Sequence, residues 1–158
     1  METTLYLATL IAALGAGLMA GTFFAFSAFV MTALRGLPSI QGIAAMQSIN
    51  TAVMNPAFLG VFTGTAILSL VLTVATFIAW PLSRAASVAG GTIFYVAGCF
   101  LVTALCNVPL NNALARAEPE SVGGVALWRH YLSRWTLWNT IRTVASLAAA
   151  ALFITALR

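Results

Sequence analysis

Residues 57–80 read AFLGVFTGTAILSLVLTVATFIAW, with no charge, amide or proline in 24 positions. A helix needs about 20 apolar residues to cross a hydrocarbon core of roughly 30 Å, so this stretch predicts a membrane span. Asn55-Pro56 stands before it and Pro81 after it. Proline cannot continue a helical ladder, so these residues bound the span. Working outward, residues 3–34, 85–115 and 143–157 also carry no charge. They predict spans at about 5–34 and 88–110, the latter ending near Pro109, and a final one reaching residue 157. The last charge-free run has only 15 residues. Its helix must therefore start near Trp138 to cross, which puts Arg142 about one turn inside the bilayer. The expected fold is an all-α, integral membrane four-helix bundle, one transmembrane domain over residues 1–158.

Composition points the same way. The chain is 61% hydrophobic and 6% charged, against roughly 45–50% and about 25% in soluble domains. Mean hydropathy is +1.01. A water-soluble globule, a disordered chain and a nucleic-acid-binding protein are excluded; the lipid bilayer is the expected partner. There is no Lys and no Asp, and the charged residues are seven Arg and three Glu. Chemistry that needs paired carboxylates has almost no residues to use. The N-terminus reads as a span and not as a cleaved signal, because Glu2 replaces a basic region and the apolar stretch exceeds a signal core. Gly17-x-x-x-Gly21 and Gly60-x-x-x-Gly64 allow close helix contact.

The polar residues gather at one end of the up-down bundle. Arg35 closes the first span, Asn50 and Asn55 precede the second, Asn107, Asn111 and Asn112 end the third, and Asn139 and Arg142 open the fourth. All six Asn are in this set. Polar groups in lipid are costly unless partnered, and such residues normally face a bundle interior or a wet cavity. Capping of helix ends is the plainer role, and Asn55 before Pro56 suits it.

Two short amphipathic helical segments join this end. After Pro38, Ser39 can cap a helix in which Ile40, Ile43, Gln47, Asn50 and Met54 share a face. Gln47 and Asn50 there either bond a ligand or meet headgroups. The second segment, residues 121–140, runs into the fourth span. Trp128, Tyr131, Trp135, Trp138, Asn139 and Arg142 lie within about 100° on one continuous helix. Trp and Tyr belts mark membrane interfaces, but a belt needs no Asn and Arg one turn deeper on the same face. Aromatic rings ending in Asn and Arg suit a flat aromatic ligand bearing oxygens. The arrangement predicts a cavity lined by Gln47, Asn50, Asn111, Trp135, Asn139 and Arg142, with Arg142 bonded to Asn111 or Asn107.

Metal and nucleophile classes are poorly supplied. There is one His, and Cys99 and Cys106 are seven residues apart on one helix, about 10 Å along its axis. No phosphate loop, Ser/His/Asp set or zinc spacing is present, so no metal or bound cofactor is expected.

The motifs resemble one family. Gly21-Thr22-Phe23-Phe24-Ala25-Phe26-Ser27 with Val30-Met31, Met46-Gln47-Ser48-Ile49-Asn50, Asn55-Pro56-x-Phe58, Asn107-Val108-Pro109-Leu110-Asn111 and Trp135-x-x-Trp138-Asn139-x-x-Arg142 are similar to those of the anthrone oxygenase-like membrane proteins. The resemblance covers nearly the whole chain. It implies a four-helix membrane protein, here of a bacterial inner membrane. It also implies oxidation of a lipophilic aromatic by O₂ without metal or flavin, as fungal members convert an anthrone to an anthraquinone. Bacterial relatives often carry His between the Trp-Asn pair and the Arg; here that position is Thr140.

By residue type, Arg142, Asn139 and Asn111 would donate to an oxyanion, and His130 is the single base titrating near neutrality. Gln47, Asn50 and Asn107 would orient phenolic oxygens, and Tyr131, Trp135 and Trp138 would line or stack on the rings. Competing with this oxygenase are a non-catalytic binder or carrier of a small aromatic or lipophilic molecule and an accessory subunit docking a partner through the polar end. A homo-oligomer is left open. Arg35, Arg116, Arg129 and Arg134 at the polar end, against Arg84 and Arg158 at the other, put the polar end in the cytoplasm by the positive-inside bias.

Overall fold

The computed structural model describes residues 1–158. It is all helical: α1 (Glu2–Arg35), α2 (Ser39–Ala52), α3 (Pro56–Ala79), α4 (Leu82–Ala115) and α5 (Val122–Ala156). Helices α1, α3, α4 and α5 are each long and apolar enough to cross a membrane. Of 132 backbone–backbone hydrogen bonds, 115 lie within helices, which pairs the polar backbone internally as hydrocarbon requires. Asn55 caps α3 by accepting from Phe58 N–H at 3.0 Å, with Pro56 in the first turn.

Three helices are longer than a bilayer demands. α1, α4 and α5 have 34, 34 and 35 residues, about 50 Å each at 1.5 Å per residue. α3 has 24 and spans without excess. The surplus of the other three rises at the polar end, where α2 folds over it. Two cores result. The bundle core joins small residues of α1 and α5 (Ala12, Ala16, Ala149, Ala150) to Phe23, Phe62, Tyr95 and Phe153. A second core joins Met31, Leu34, Ile43, Met46 and Leu114 to Trp128, Tyr131, Leu132 and Trp135. Outside, Leu7, Ile11, Leu14 and Phe29 on α1, Ile67 and Val74 on α3, and Leu137, Val144 and Leu147 on α5 are exposed, an apolar shell fit for lipid.

Two expectations change and a third holds. Pro109 does not end the third span. The helix widens into π-type turns over Phe94–Leu101 and Thr103–Asn107, and the proline falls in the first turn of the segment Val108–Ala115, where its missing donor is tolerated. The segment at residues 121–140 runs into the last span as expected: Ser121 caps it by accepting from Gly124 N–H at 2.9 Å, and one helix runs from Val122 to Ala156. Finally, a Cβ at Gly17, Gly21, Gly60 or Gly64 would meet nothing within 4 Å, so these glycines do not mediate contact. Close approaches lie instead at Gly15 beside Thr65, Gly42 beside Trp128, Gly91 beside Phe153 and Gly98 beside Ala145.

These positions separate in their response to a methyl group. Gly98→Ala places Cβ at 2.5 Å from Ala145 Cβ, and the α4–α5 seam must open, at a cost of about 1–3 kcal/mol. Gly60→Ala has free space and gains helix propensity, up to about 1 kcal/mol. Thermal unfolding of the two purified variants should therefore move in opposite directions; equal shifts would contradict this packing.

Candidate functional site

The two cores meet around Arg142. Leu137 and Ile141 beside it on α5 are exposed, yet its own exposure is 5%. Its guanidinium sits 4.2 Å above the Phe23 ring and 5.4 Å from that of Trp135. Nη1 donates to Thr103 Oγ1 at 3.0 Å and Nη2 to Asn139 Oδ1 at 2.7 Å. Nε is buried without a partner. No carboxylate neutralises the charge: Glu118 and Glu120 are exposed in the α4–α5 connection, and Glu2 pairs with Arg84 at 3.6 Å at the other end. A buried cation without an anion is expensive.

Asn139 holds this arrangement together. Its Nδ2 donates to the Phe23 carbonyl at 2.6 Å and to Ser27 Oγ at 2.7 Å, at the π-type turn Phe26–Val30 of α1. An amide inserted into a helix ladder is a recognised cause of such a local widening. Ser27 Oγ in turn lies 2.9 Å from Thr140 Oγ1.

A cavity of ≈ 210 Å³ opens beside Arg142. All five helices reach it. Its wall is mostly apolar, with Phe23, Phe26, Met46, Ile49, Phe58, Phe62 and Trp135, and its polar members are Thr22, Asn50, Thr103, Asn111 and Arg142. This is the usual make-up of a small-molecule site: apolar walls with a few placed polar groups.

Asn111 has a determined orientation. Its Oδ1 accepts from Trp135 Nε1 at 2.8 Å and from Tyr131 OH at 2.8 Å. An indole N–H only donates, so the oxygen must face it and the NH₂ faces away, in a residue that lines the cavity. Tyr131 is stacked between Trp128 and Trp135, at centroid distances of 5.7 and 5.9 Å.

Of the six residues expected around the cavity, Asn50, Asn111, Trp135 and Arg142 line it and Gln47 and Asn139 do not. Gln47 Nε2 donates to the Leu114 and Ala117 carbonyls at 2.8 and 3.2 Å, tying α2 to the end of α4. Asn139 is consumed by the bonds above. Arg142 bonds Asn139 and Thr103, not Asn111 or Asn107, because Asn139 is three residues back on its own helix. Asn107 Nδ2 donates to the Trp135 carbonyl at 3.3 Å and its Oδ1 is buried unpartnered; it lies behind the wall. Tyr131 is fully buried in the second core, and its OH is 3.5 Å from Asn50 Nδ2. Trp138 is half-buried and His130 exposed, and neither lines the cavity. His130 is five residues before Trp135, about 140° around the helix. Thr140 is outside the cavity too. No group of three or more His, Cys, Asp or Glu side chains gathers anywhere in the chain.

Thr103 and the Phe23–Phe26 wall carry no signal in the residue-type reading. A signal exists for Thr103: with Asn107 and Asn111 it forms an i, i+4, i+8 row on α4.

Residues 54–152 match the family model described as Anthrone oxygenase. No curated protein and no solved structure matches the chain.

Proposed function

The chain belongs to the anthrone oxygenase family, and from that membership we propose that the cavity oxidises a lipophilic aromatic, anthrone- or quinol-like, with O₂ and without a cofactor. One observation carries the reading: a buried, carboxylate-free guanidinium at the edge of an apolar cavity. Such a site favours a ligand that is flat, apolar and anionic at an oxygen.

An anthrone has a CH₂ flanked by two rings and opposite a ketone. Loss of a proton from that carbon places the negative charge largely on the ketone oxygen. Arg142 and the Asn111 NH₂ are the donors for this oxyanion, held in place before reaction and shielded from water. The electron-rich carbon then forms a C–O bond to O₂. The resulting peroxide anion takes up a proton, and loss of water leaves the second ketone. One O₂ converts CH₂ to C=O and releases one H₂O; the proton lost first is returned at the peroxide. Trp135, Phe23 and Phe62 provide flat apolar surface for the rings.

A second reading is a non-catalytic binder. It is favoured by the wall itself, where Arg142 is the single ionisable side chain and no proton acceptor titrating near neutrality is present. O₂ consumption by purified protein with an anthrone separates the two: uptake supports the oxygenase, and tight binding without uptake supports the binder. Within the oxygenase reading, the substrate ionises beside Arg142 and His130 takes no part. His130→Ala should keep its rate within about twofold, where loss of a true general base costs about 10²–10⁴; a loss of that size would restore His130 as the base. The proposed location is a bacterial inner membrane with the polar end cytoplasmic. Arg35, Arg116, Arg129 and Arg134 are all exposed at that end and count fully toward the positive-inside bias.

A further inference from the structure

The cavity wall is uneven, and its weakest side lies between α3 and α4. The short α3 starts at Pro56, so above it the wall is completed by Val53 and Met54 of the link from α2. α3 packs against α4 along Leu82–Leu101, where Tyr95 OH donates to the Phe62 carbonyl at 3.1 Å and Phe62 stacks on Phe100 at 5.2 Å. Beyond this, α4 turns its Thr103–Ala115 portion to α5 and α2. Two residues that line the cavity here are also exposed, Met54 at 66% and Val108 at 40%. Both are apolar, and Leu105, one turn before Val108 on α4, is exposed at 71% as part of the lipid-facing shell.

We infer that the cavity is loaded sideways from the bilayer, through a portal between the start of α3 and the last third of α4 whose rim is Met54 and Val108. This rests on the cavity being the ligand site. The portal selects what enters. A neutral, flat, lipid-dissolved molecule crosses a rim of thioether and methyl groups without losing hydration. A pre-formed anion or a sugar-bearing aromatic does not, because neither rim side chain has a donor or acceptor to replace its water. The substrate thus arrives protonated and meets its first donors only at Asn111 and Arg142. Methionine suits the gate, since its unbranched side chain adapts to shapes passing it.

The test uses the full chain in phosphatidylcholine vesicles with 1-anthrol, a fluorescent tricyclic phenol, followed by energy transfer from tryptophan in stopped flow. Met54→Trp and Val108→Trp narrow the rim from exposed positions. Each is expected to slow association and dissociation together, by about tenfold or more, while Leu147→Trp on the lipid face of α5 keeps parental rates. In a second arm, folded Met54→Cys protein is alkylated with a bulky maleimide, with the treated parent as control for Cys99 and Cys106; the same slowing is expected without any demand on folding. A small fluorophore on Met54→Cys should be quenched by brominated lipid more than by aqueous iodide. Parental rates in both rim variants and in the alkylated protein, or the reverse quenching order, would overturn the portal while leaving the cavity reading intact. Failure of the parent to bind 1-anthrol would overturn the cavity reading, and the portal with it.

Discussion

Arg142→Met is expected to lower O₂ consumption with an anthrone by about 10²–10³, the usual effect of deleting an oxyanion donor, while the protein folds about as stably as the parent. The two readouts part because the charge burdens the fold it sits in. An Arg costs up to about 2.5–3.5 kcal/mol on insertion scales, the value at a helix centre, and no carboxylate in the bundle offsets it. Methionine fills similar space over Phe23 and Trp135 without that cost. Against the gain stands the loss of Nη2–H···Oδ1 to Asn139 and Nη1–H···Oγ1 to Thr103, about 1–3 kcal/mol for each acceptor left dry. Thr103 still donates to the Cys99 carbonyl at 2.8 Å, so its loss is the smaller. Thermal unfolding in detergent should fall close to the parental midpoint. Arg142→Lys keeps the charge but not the planar fork that reaches Thr103 and Asn139 together, and should recover only part of the rate. A rate within tenfold of the parent for Arg142→Met would remove Arg142 from the chemistry.

Asn139→Ala should lose stability as well as function. One carboxamide joins α1 to α5 through Phe23 and Ser27 and anchors Arg142 from below. Its removal leaves a carbonyl and a guanidinium N–H short of a partner inside a bilayer, while Ser27 Oγ keeps Thr140 Oγ1 at 2.9 Å, and the expected destabilisation is about 2–4 kcal/mol. Asn139→Asp discriminates further. The carboxylate keeps its oxygen on Arg142 and supplies the anion that the native site lacks, so 1-anthrol should bind more weakly to it than to Asn139→Ala. The opposite order, with Asp binding as tightly as the parent, would mean that the uncompensated charge of Arg142 is not what attracts the ligand.

Much of the bundle follows from composition alone. Charge-free runs of more than 20 residues have one stable home, and Asn55-Pro56 marks a helix start by chemistry that neighbours cannot change. The burial of Arg142 was also legible, because position 142 must lie within the span if the last helix is to cross and lipid will not take a guanidinium. The gathering of the amides at one end followed from antiparallel connection. Tertiary structure decided what each amide does there. Helical periodicity gives an angle around an axis, and by angle Asn139 and Tyr131 belong with Trp135 and Arg142, and Gln47 with Asn50. Whether their polar atoms are free depends on carbonyls and hydroxyls of other helices that meet them. Phe23 and Ser27 of α1 consume Asn139, and the end of α4 consumes Gln47. Trp135 and Tyr131 turn the Asn111 amide so that its donors remain. Likewise Gly60 and Gly64 have the spacing of a contact motif, but α1 meets α3 at Gly15 and Thr65 instead. In a membrane a buried polar atom is costly without a partner, and most of these partners lie on other helices, so sequence places the polar groups while packing determines which of them are left for a ligand.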